Sequence, residues 1–363
     1  MVNAVLVISD EYPPEGGGAG VIARRMILDM TALGYKITLI TGDEAKEVHS
    51  NIIHYKVRRK RFIWPLAYRK IFKQLDMSGY DHIVLNDFVS VYLAGLFFDI
   101  QTLQRCIVIV HGNDSDYVFT KKTEKHLLFR YVPKYERAIK YCKHIVAVSI
   151  YAKELFIQYL PGALKNISID YAYAGVTAED FDMQKAISRH EMGLPEEAKI
   201  LFTACRLAKV KGIFDQLQLF SQLCKKYNNL YWIVAGEGPE QQDFANNINQ
   251  LGLSNRVILL GRVNRRDIGA YYKVSDIFWM LSVRETMGLV YIEAALFGTP
   301  SIGPEKSGIK EAIAPGVSGF FYNPETFESD IEYCLQHDMS ESCRQHASKY
   351  QTINFTKHVL GLK

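Results

Sequence analysis

Two successive runs of short apolar segments, alternating with helix-forming stretches, constrain this chain more than any other feature. In the first run, residues 4–8, 36–40, 82–85, 106–110 and 144–148 read as buried strands. A helix over 21–33, stopped by Gly34, separates the first two. The pattern restarts at 199–204 and continues through 230–235, 257–260 and 276–280. Near-continuous apolar strands of this length, spaced by helices, predict parallel sheets covered on both faces. Residues 173–197 carry no strong periodicity and predict the junction between the two halves.

At 363 residues the chain exceeds what one hydrophobic core organises, so two α/β domains are expected, each a doubly wound Rossmann-like sheet. Residues 1–175 form the first and 176–345 the second, with a final helix over 346–363 packing back on the first. Sheets of this kind bind ligands outside the carboxyl ends of their strands, which predicts a central cleft between the two domains. The six cysteines, Cys106, Cys142, Cys205, Cys224, Cys334 and Cys343, form no Cys-x-x-Cys pair. That argues against a disulfide framework or structural zinc and favours a reducing compartment. The apolar start reaches Asp10 and Glu11 too soon for a secretory signal, and no run of about 20 apolar residues exists. A cytoplasmic protein is expected.

Two elements carry charge chemistry. Arg206 and Lys211, in Arg206-Leu207-Ala208-Lys209-Val210-Lys211-Gly212, follow directly on the strand 199–204. Two cations at a strand's carboxyl end suit a diphosphate leaving group, whose charge grows as its bond breaks. In Glu285-Thr286-Met287-Gly288-Leu289-Val290-Tyr291-Ile292-Glu293, a glycine and an apolar helical run lie between two glutamates. If Gly288 opens a helix, the amides of Gly288, Leu289 and Val290 have no internal partner and form a phosphate site. Glu285 in the preceding loop is positioned to accept hydrogen bonds from sugar hydroxyls, and Glu293 to take a ribose.

Together these residues resemble the retaining nucleotide-sugar glycosyltransferases of family 4, which have the two-domain GT-B fold. The resemblance covers nearly the whole chain. Glu285 and Glu293 match the family's paired glutamates, and Arg206 with Lys211-Gly212 matches its donor-phosphate pair. Gly236-Glu237-Gly238-Pro239 resembles its turn after the second C-terminal strand. Leu260-Gly261-Arg262-Val263 resembles the segment that meets the nucleotide base. Gly298-Thr299-Pro300 and Gly319-Phe320 resemble its downstream glycines. Two departures stand out: Thr286-Met287 replaces the usual proline or glycine and phenylalanine, and Tyr173-Ala174-Gly175-Val176-Thr177 replaces the common interdomain turn. The resemblance implies transfer of a sugar from a UDP- or GDP-sugar, without metal or other cofactor, to a glycan, lipid-linked or small-molecule acceptor. Bacterial surface polysaccharide or glycolipid synthesis is the setting it suggests. On this reading Arg206, Lys211, Glu285 and His111 are catalytic. Gly17, Gly18, Gly238, Arg262, Val263, Met287, Gly288, Leu289, Val290 and Glu293 bind the donor.

The first half adds three features. Pro13-Pro14-Glu15-Gly16-Gly17-Gly18-Ala19-Gly20 follows the first strand, and its glycines admit close backbone approach to a ligand. His111 ends the strand 106–110, where it can hydrogen bond the transferred sugar or the acceptor. Asp114-Ser115-Asp116 has the acid-x-acid spacing that binds manganese in another glycosyltransferase fold. The cations and helix amides already answer the diphosphate charge, so no metal is expected.

From Lys56 to Lys73 stand eight basic residues and no acidic one, interleaved with Phe62, Trp64, Leu66 and Phe72. That mixture fits an anionic membrane surface, so peripheral attachment to the inner face of the cell membrane is expected. No nucleic-acid module accompanies it, and nucleic acid is not expected as a partner. Two rival activities share the fold pattern: a nucleotide-sugar epimerase, and a nucleotide-sugar-binding subunit without turnover.

Overall fold

The computed structural model describes residues 3–13, 17–42, 52–57, 63–112 and 114–362. Among them, seven strands form one parallel sheet: β1 (Ala4–Ile8), β2 (Lys36–Thr41), β3 (Ile52–Lys56), β4 (His82–Leu85), β5 (Cys106–Val110), β6 (His144–Ala147) and β7 (Asp170–Tyr171). Their order is β3-β2-β1-β4-β5-β6-β7. Six more form a second parallel sheet: β8 (Lys199–Ala204), β9 (Leu230–Ala235), β10 (Val257–Gly261), β11 (Ile277–Trp279), β12 (Ser301–Pro304) and β13 (Gly319–Tyr322). Here the order is β10-β9-β8-β11-β12-β13. In each sheet the chain winds outward from its first strand, then returns and winds the other way. The reversal creates a crevice between β1 and β4 in the first sheet, and between β8 and β11 in the second.

Helices cover the sheets because parallel strands need crossovers, and the central strands are largely apolar because both faces are then buried. Every residue of β5 is buried, as are Val5 to Ile8 of β1. The second core is aromatic. Trp232 of β9 and Trp279 of β11 meet with ring centroids 5.2 Å apart. The buried Thr203 hydroxyl donates to the Trp279 carbonyl at 2.7 Å and accepts from Trp232 Nε1 at 3.0 Å. Satisfying these polar atoms inside the core fixes the spacing of β8, β9 and β11.

Four strands lie outside the apolar pattern of the sequence. β3 is an edge strand with partly exposed residues, and β7 has only two residues. β12 ends in Gly303-Pro304 and β13 begins with Gly319, residues that weaken any strand signal.

The chain divides into two compact units, residues 1–174 with 352–363, and residues 175–351. The C-terminal segment differs from the single helix expected over 346–363. A helix at Ser340–Ala347 belongs to the second unit, and a separate one at Thr352–Leu360 to the first. Between them the backbone is extended, with Gln351 bridged to Val176 and the Val176 amide donating to the Tyr350 carbonyl at 2.7 Å. The outgoing and returning chains thus run side by side. A Cβ on Gly175 would lie 2.2 Å from the Tyr350 oxygen, so only glycine fits that contact. In the first unit, Thr352 and Thr356, one helical turn apart, donate to the two oxygens of Asp29 at 3.2 and 2.7 Å. Asp29 lies in the helix Gly18–Ala32. No helix among the described residues is long and apolar enough to cross a membrane.

Candidate active site

In the second unit the residues singled out by spacing converge on the β8/β11 crevice. Arg206 and Lys211 follow β8, and Glu285 follows β11, its neighbour in the sheet. Lys211 Nζ donates to Glu285 Oε1 at 2.6 Å, and both side chains are partly exposed. Arg206 is exposed and has no ion pair among the described residues. One cation is therefore paired with a carboxylate and the other is open to a ligand.

Close backbone contacts fix these loops. Gly236 (φ +138°) abuts the loop after β8, and a Cβ there would lie 1.8 Å from the Cys205 carbonyl oxygen. A Cβ on Gly238 would lie 2.2 Å from the Leu207 carbonyl oxygen, and the Leu207 amide donates to the Glu237 carbonyl at 2.9 Å. The 236–239 turn thus acts as a brace beneath Arg206. On the other side the Gly308 amide donates to the Glu285 carbonyl at 2.9 Å, and the Glu285 amide to Ser307 Oγ at 3.2 Å. Ser307 adopts a left-handed backbone (φ 54°), an uncommon conformation for a residue with a Cβ. Its cost is offset by the hydrogen bonds that hold Glu285.

Gly288 (φ +72°) is the N-cap of the helix Leu289–Leu296 and supplies no side chain to it. The amides of Gly288, Leu289 and Val290 donate to no group among the described residues, and Leu289 and Val290 are partly exposed. This helix start can receive an anion. Met287 is buried beneath it. Arg262 and Val263 follow β10, with Arg262 exposed.

Glu293, expected to take a ribose, is held by side chains of its own unit. The residue is 3% exposed, its Oε1 accepts from Arg265 Nη2 at 2.6 Å, and its Oε2 accepts from the Tyr272 hydroxyl at 3.3 Å. Arg265 also donates through Nε to buried Asp180 at 3.2 Å. One guanidinium therefore answers two buried carboxylates, whose charge raises its pKa against the opposing effect of burial. Burial first, and then the Glu293 charge, raise the Tyr272 hydroxyl well above its ordinary range. Sequence reasoning missed Arg265, Tyr272 and Asp180, because their partners are distant in sequence. It also missed Arg284, whose Nε and Nη2 are buried without a hydrogen-bond partner beside Glu285.

The first unit has a polar cluster at its own crevice. His111, after β5, places Nε2 at 2.6 Å from the Asn86 carbonyl oxygen. A carbonyl only accepts, so Nε2 carries the proton and Nδ1 keeps its lone pair. Burial, the dominant influence, lowers the pKa of this imidazole and keeps it neutral. Asp114 Oδ2 accepts from the His111 amide at 2.9 Å, and Asp116 Oδ1 accepts from the Thr120 hydroxyl at 2.7 Å. Both acids stand in the first turn of the helix Asp114–Thr120, a favourable place for negative charge. Gly17 caps the helix Gly18–Ala32, and its amide donates to Glu11 Oε2 at 3.0 Å. Gly18 is thus helical rather than part of a loop. Pro14, Glu15, Gly16 and the cations Arg58, Arg59, Lys60 and Arg61 lie outside the described residues.

Between β1 and β4, Asp10 and Asp87 are both buried. Asp87 caps the helix Phe88–Phe97 by accepting from the Ser90 amide at 2.8 Å. It also accepts from the amides of Asp10 and, at 3.2 Å, Glu11. Burial and the neighbouring Asp10 charge push its pKa up to about 7, against the lowering effect of these hydrogen bonds.

Comparison with known proteins agrees with the fold. The family model described as Glycosyltransferase Family 4 matches residues 16–177, and that described as Glycosyl transferases group 1 matches residues 184–350. The chain is 29% identical over 135 residues to an alpha-monoglucosyldiacylglycerol synthase of Acholeplasma laidlawii, a match covering 37% of this chain and 34% of that protein. This chain thus spans about a third of that relative's length. Among solved structures, sucrose-phosphate synthase from Thermosynechococcus elongatus superposes with a TM-score of 0.78 at 16% identity, covering 99% of this chain and 97% of that one. HepE of Anabaena, solved with UDP-glucose, superposes with a TM-score of 0.72 at 18% identity over 99% and 98% of the two chains. The fold and tandem family matches define a GT-B glycosyltransferase. Within that class the chain belongs to the family 4-like glycosyltransferases.

Proposed function

We propose that this glycosyltransferase moves a sugar from a UDP- or GDP-sugar to an acceptor hydroxyl, with retention of anomeric configuration and without metal. The observation that carries the reading is the Lys211–Glu285 pair across the β8/β11 crevice, with exposed Arg206 on the same strand end. The donor's diphosphate would lie on Arg206, Lys211 and the amides of Gly288, Leu289 and Val290. These groups stabilise negative charge on the leaving oxygen as the glycosidic bond lengthens. Glu285 would accept from the sugar's hydroxyls, and Glu293, already oriented by Arg265 and Tyr272, would accept from the ribose. Arg262 and Val263 would border the base, with Gly238 bracing the phosphate loop and Met287 supporting the helix start.

Departure of the nucleoside diphosphate leaves an oxocarbenium-like sugar. The acceptor oxygen attacks from the face the leaving group vacated, and its proton passes to the departing phosphate. The lone pair on His111 Nδ1 would receive a hydroxyl of the sugar or acceptor, and the backbone at Gly17 and Gly18 would border the donor. The complex of HepE with UDP-glucose supports a nucleotide-sugar donor for a chain of this fold. The synthase relative, named for a glucosyldiacylglycerol, favours a lipid-linked acceptor.

The lipid reading gains support from an apolar surface in the first unit. Leu127 is 77% and Leu128 64% exposed on the helix Glu124–Phe129, and Ile63 and Leu66 are exposed at the helix Trp64–Phe72. Trp64 and Phe129 pack with centroids 5.9 Å apart, which joins the two helices. Exposed Arg69, Lys70, Lys121, Lys122 and Lys125 flank this surface. Exposed apolar side chains with several cations nearby in sequence suit an anionic bilayer, and the reaction would then run at the cytoplasmic face of the membrane.

A thermal-shift panel of UDP- and GDP-sugars tests the donor, because a ligand that binds only the native state raises the melting temperature. Proton NMR of the first product reports the anomeric configuration. Inverted product, or nucleotide release independent of any acceptor, would overturn the assignment.

A further inference from the structure

At the amino-terminal end of the first sheet, away from the strand ends considered above, three potential metal ligands come together from distant parts of the chain. His144 begins β6, Asp170 begins β7, and His358 lies in the last turn of the helix Thr352–Leu360. Asp170 pairs in register with Val146, two residues beyond His144. Side chains alternate along a strand, so His144 and Asp170 project from the same face of the sheet. The C-terminal helix supplies His358 there, with Nε2 2.9 Å from Asp170 Oδ2. One ligand atom from each of the three residues lies within 4.8 Å of the other two.

From this constellation we propose a divalent transition-metal site, best matched to Zn2+, that clips the C-terminal helix to the first unit. Two imidazoles and one carboxylate form a donor set that zinc accepts, with water completing a tetrahedron. Bonds of about 2.0–2.1 Å imply ligand separations of roughly 3.4 Å. The widest separation, at most 4.8 Å, must therefore close and the 2.9 Å His358–Asp170 pair must open slightly, within reach of side-chain rotation because all three residues are partly exposed. Zn2+ would take the place of the proton between His358 and Asp170, which passes to solvent or to the other ring nitrogen, and would replace one hydrogen bond with three metal bonds. The helix it fastens returns to the first unit after the whole second unit has intervened. A clip at that position would hold the helix in place independently of the transfer chemistry.

The test uses the full-length, chelator-treated protein and Zn2+ alone. Isothermal titration should show one site per chain with a dissociation constant of about 10 μM or tighter. His144→Ala and His358→Ala should each weaken it at least tenfold, since even outer-shell partners of a metal are worth about 10–100-fold. A protection experiment requires no variant: saturating Zn2+ should shield His144 and His358 from diethyl pyrocarbonate, read peptide by peptide. Unchanged affinity in both variants, absence of saturable binding below about 1 mM, or undiminished modification of the two histidines would each overturn the site.

Discussion

Lys211 and Glu285, 74 positions apart in sequence, meet at 2.6 Å where the strand order of the second sheet reverses. Their pairing means that neither acts alone. The carboxylate fixes the ammonium beside the crevice, and the ammonium in turn orients the carboxylate. Lys211→Ala and Arg206→Ala should each lower the transfer rate about 100-fold or more, as loss of one donor to developing charge costs roughly 3 kcal/mol. Both proteins should retain the wild-type melting temperature within a few degrees, since both side chains are at least partly exposed. Near-normal turnover in both would remove the phosphate role.

Metal removal should leave transfer intact. On the proposed reading Arg206, Lys211 and three helix amides supply the positive potential that a diphosphate requires, and Asp114 and Asp116 spend hydrogen-bonding capacity within their own loop and helix. Activity measured with excess EDTA should stay near its untreated level, and manganese should add little. Loss of activity in EDTA with recovery in manganese would make Asp114 and Asp116 ligands. The same experiment leaves the zinc proposal untouched, because that cluster sits at the opposite strand ends and is read by binding.

Arg265 carries a different burden, because it neutralises two buried carboxylates at once. Removing one partner of a buried pair leaves an uncompensated charge and costs about 3–5 kcal/mol. Arg265→Ala should therefore destabilise the second unit by about 3 kcal/mol, the lower figure because the guanidinium is partly exposed. Donor affinity should fall as well, through the loss of Glu293 orientation. Chemical denaturation and a donor titration provide the two readouts. Unchanged stability would show that the network contributes little.

How far the sequence revealed this arrangement depends on the range of each interaction. Strands β1, β5, β8 and β9 were legible because burial on both faces makes a continuous apolar run. Gly288 and the two glutamates were legible because a helix start is a local event. Arg265 was not, because nothing in Val263-Asn264-Arg265-Arg266 distinguishes a cation buried against Glu293 from its exposed neighbour Arg266. The split of the C-terminal segment at Tyr350–Gln351 was equally hidden. It depends on the chain returning beside Gly175, a contact between residues some 175 positions apart.

The carboxyl pair in the first unit makes stability pH-dependent. The pKa of Asp87 is raised, to about 7, so the native state holds this proton more tightly than the unfolded chain does. Between about pH 4 and pH 7 the folded form binds more protons, and this group's contribution makes stability fall as pH rises. Below that range the stabilisation is fully present, and above it the loss is complete. Asp10→Asn removes the neighbouring charge while leaving an oxygen to accept from the Tyr68 hydroxyl. Melting curves from pH 4 to pH 9 should therefore show the decline displaced to lower pH in the variant. Superimposable pH profiles for the two proteins would refute the coupling.

Membrane attachment can be separated from donor binding because its proposed residues lie in the first unit and the charged groups proposed to hold the donor, Arg206, Lys211, Glu285 and Glu293, lie in the second. The protein should sediment with phosphatidylglycerol vesicles at low salt and be released as salt rises, since screening shortens electrostatic reach from about 30 Å at 0.01 M to about 8 Å at 0.15 M. Replacing Arg58, Arg59, Lys60 and Arg61 with serine removes four charges, each worth about 1 kcal/mol near such a surface, and should weaken binding by about 4 kcal/mol. Leu127→Ser with Leu128→Ser probes the apolar contribution, which should persist at high salt where the electrostatic part has gone. Both variants should bind the nucleotide sugar as the wild type does. If the serine variant still sediments fully, the basic segment is not the anchor. If it loses donor affinity while the leucine variant does not, those cations serve the active site instead.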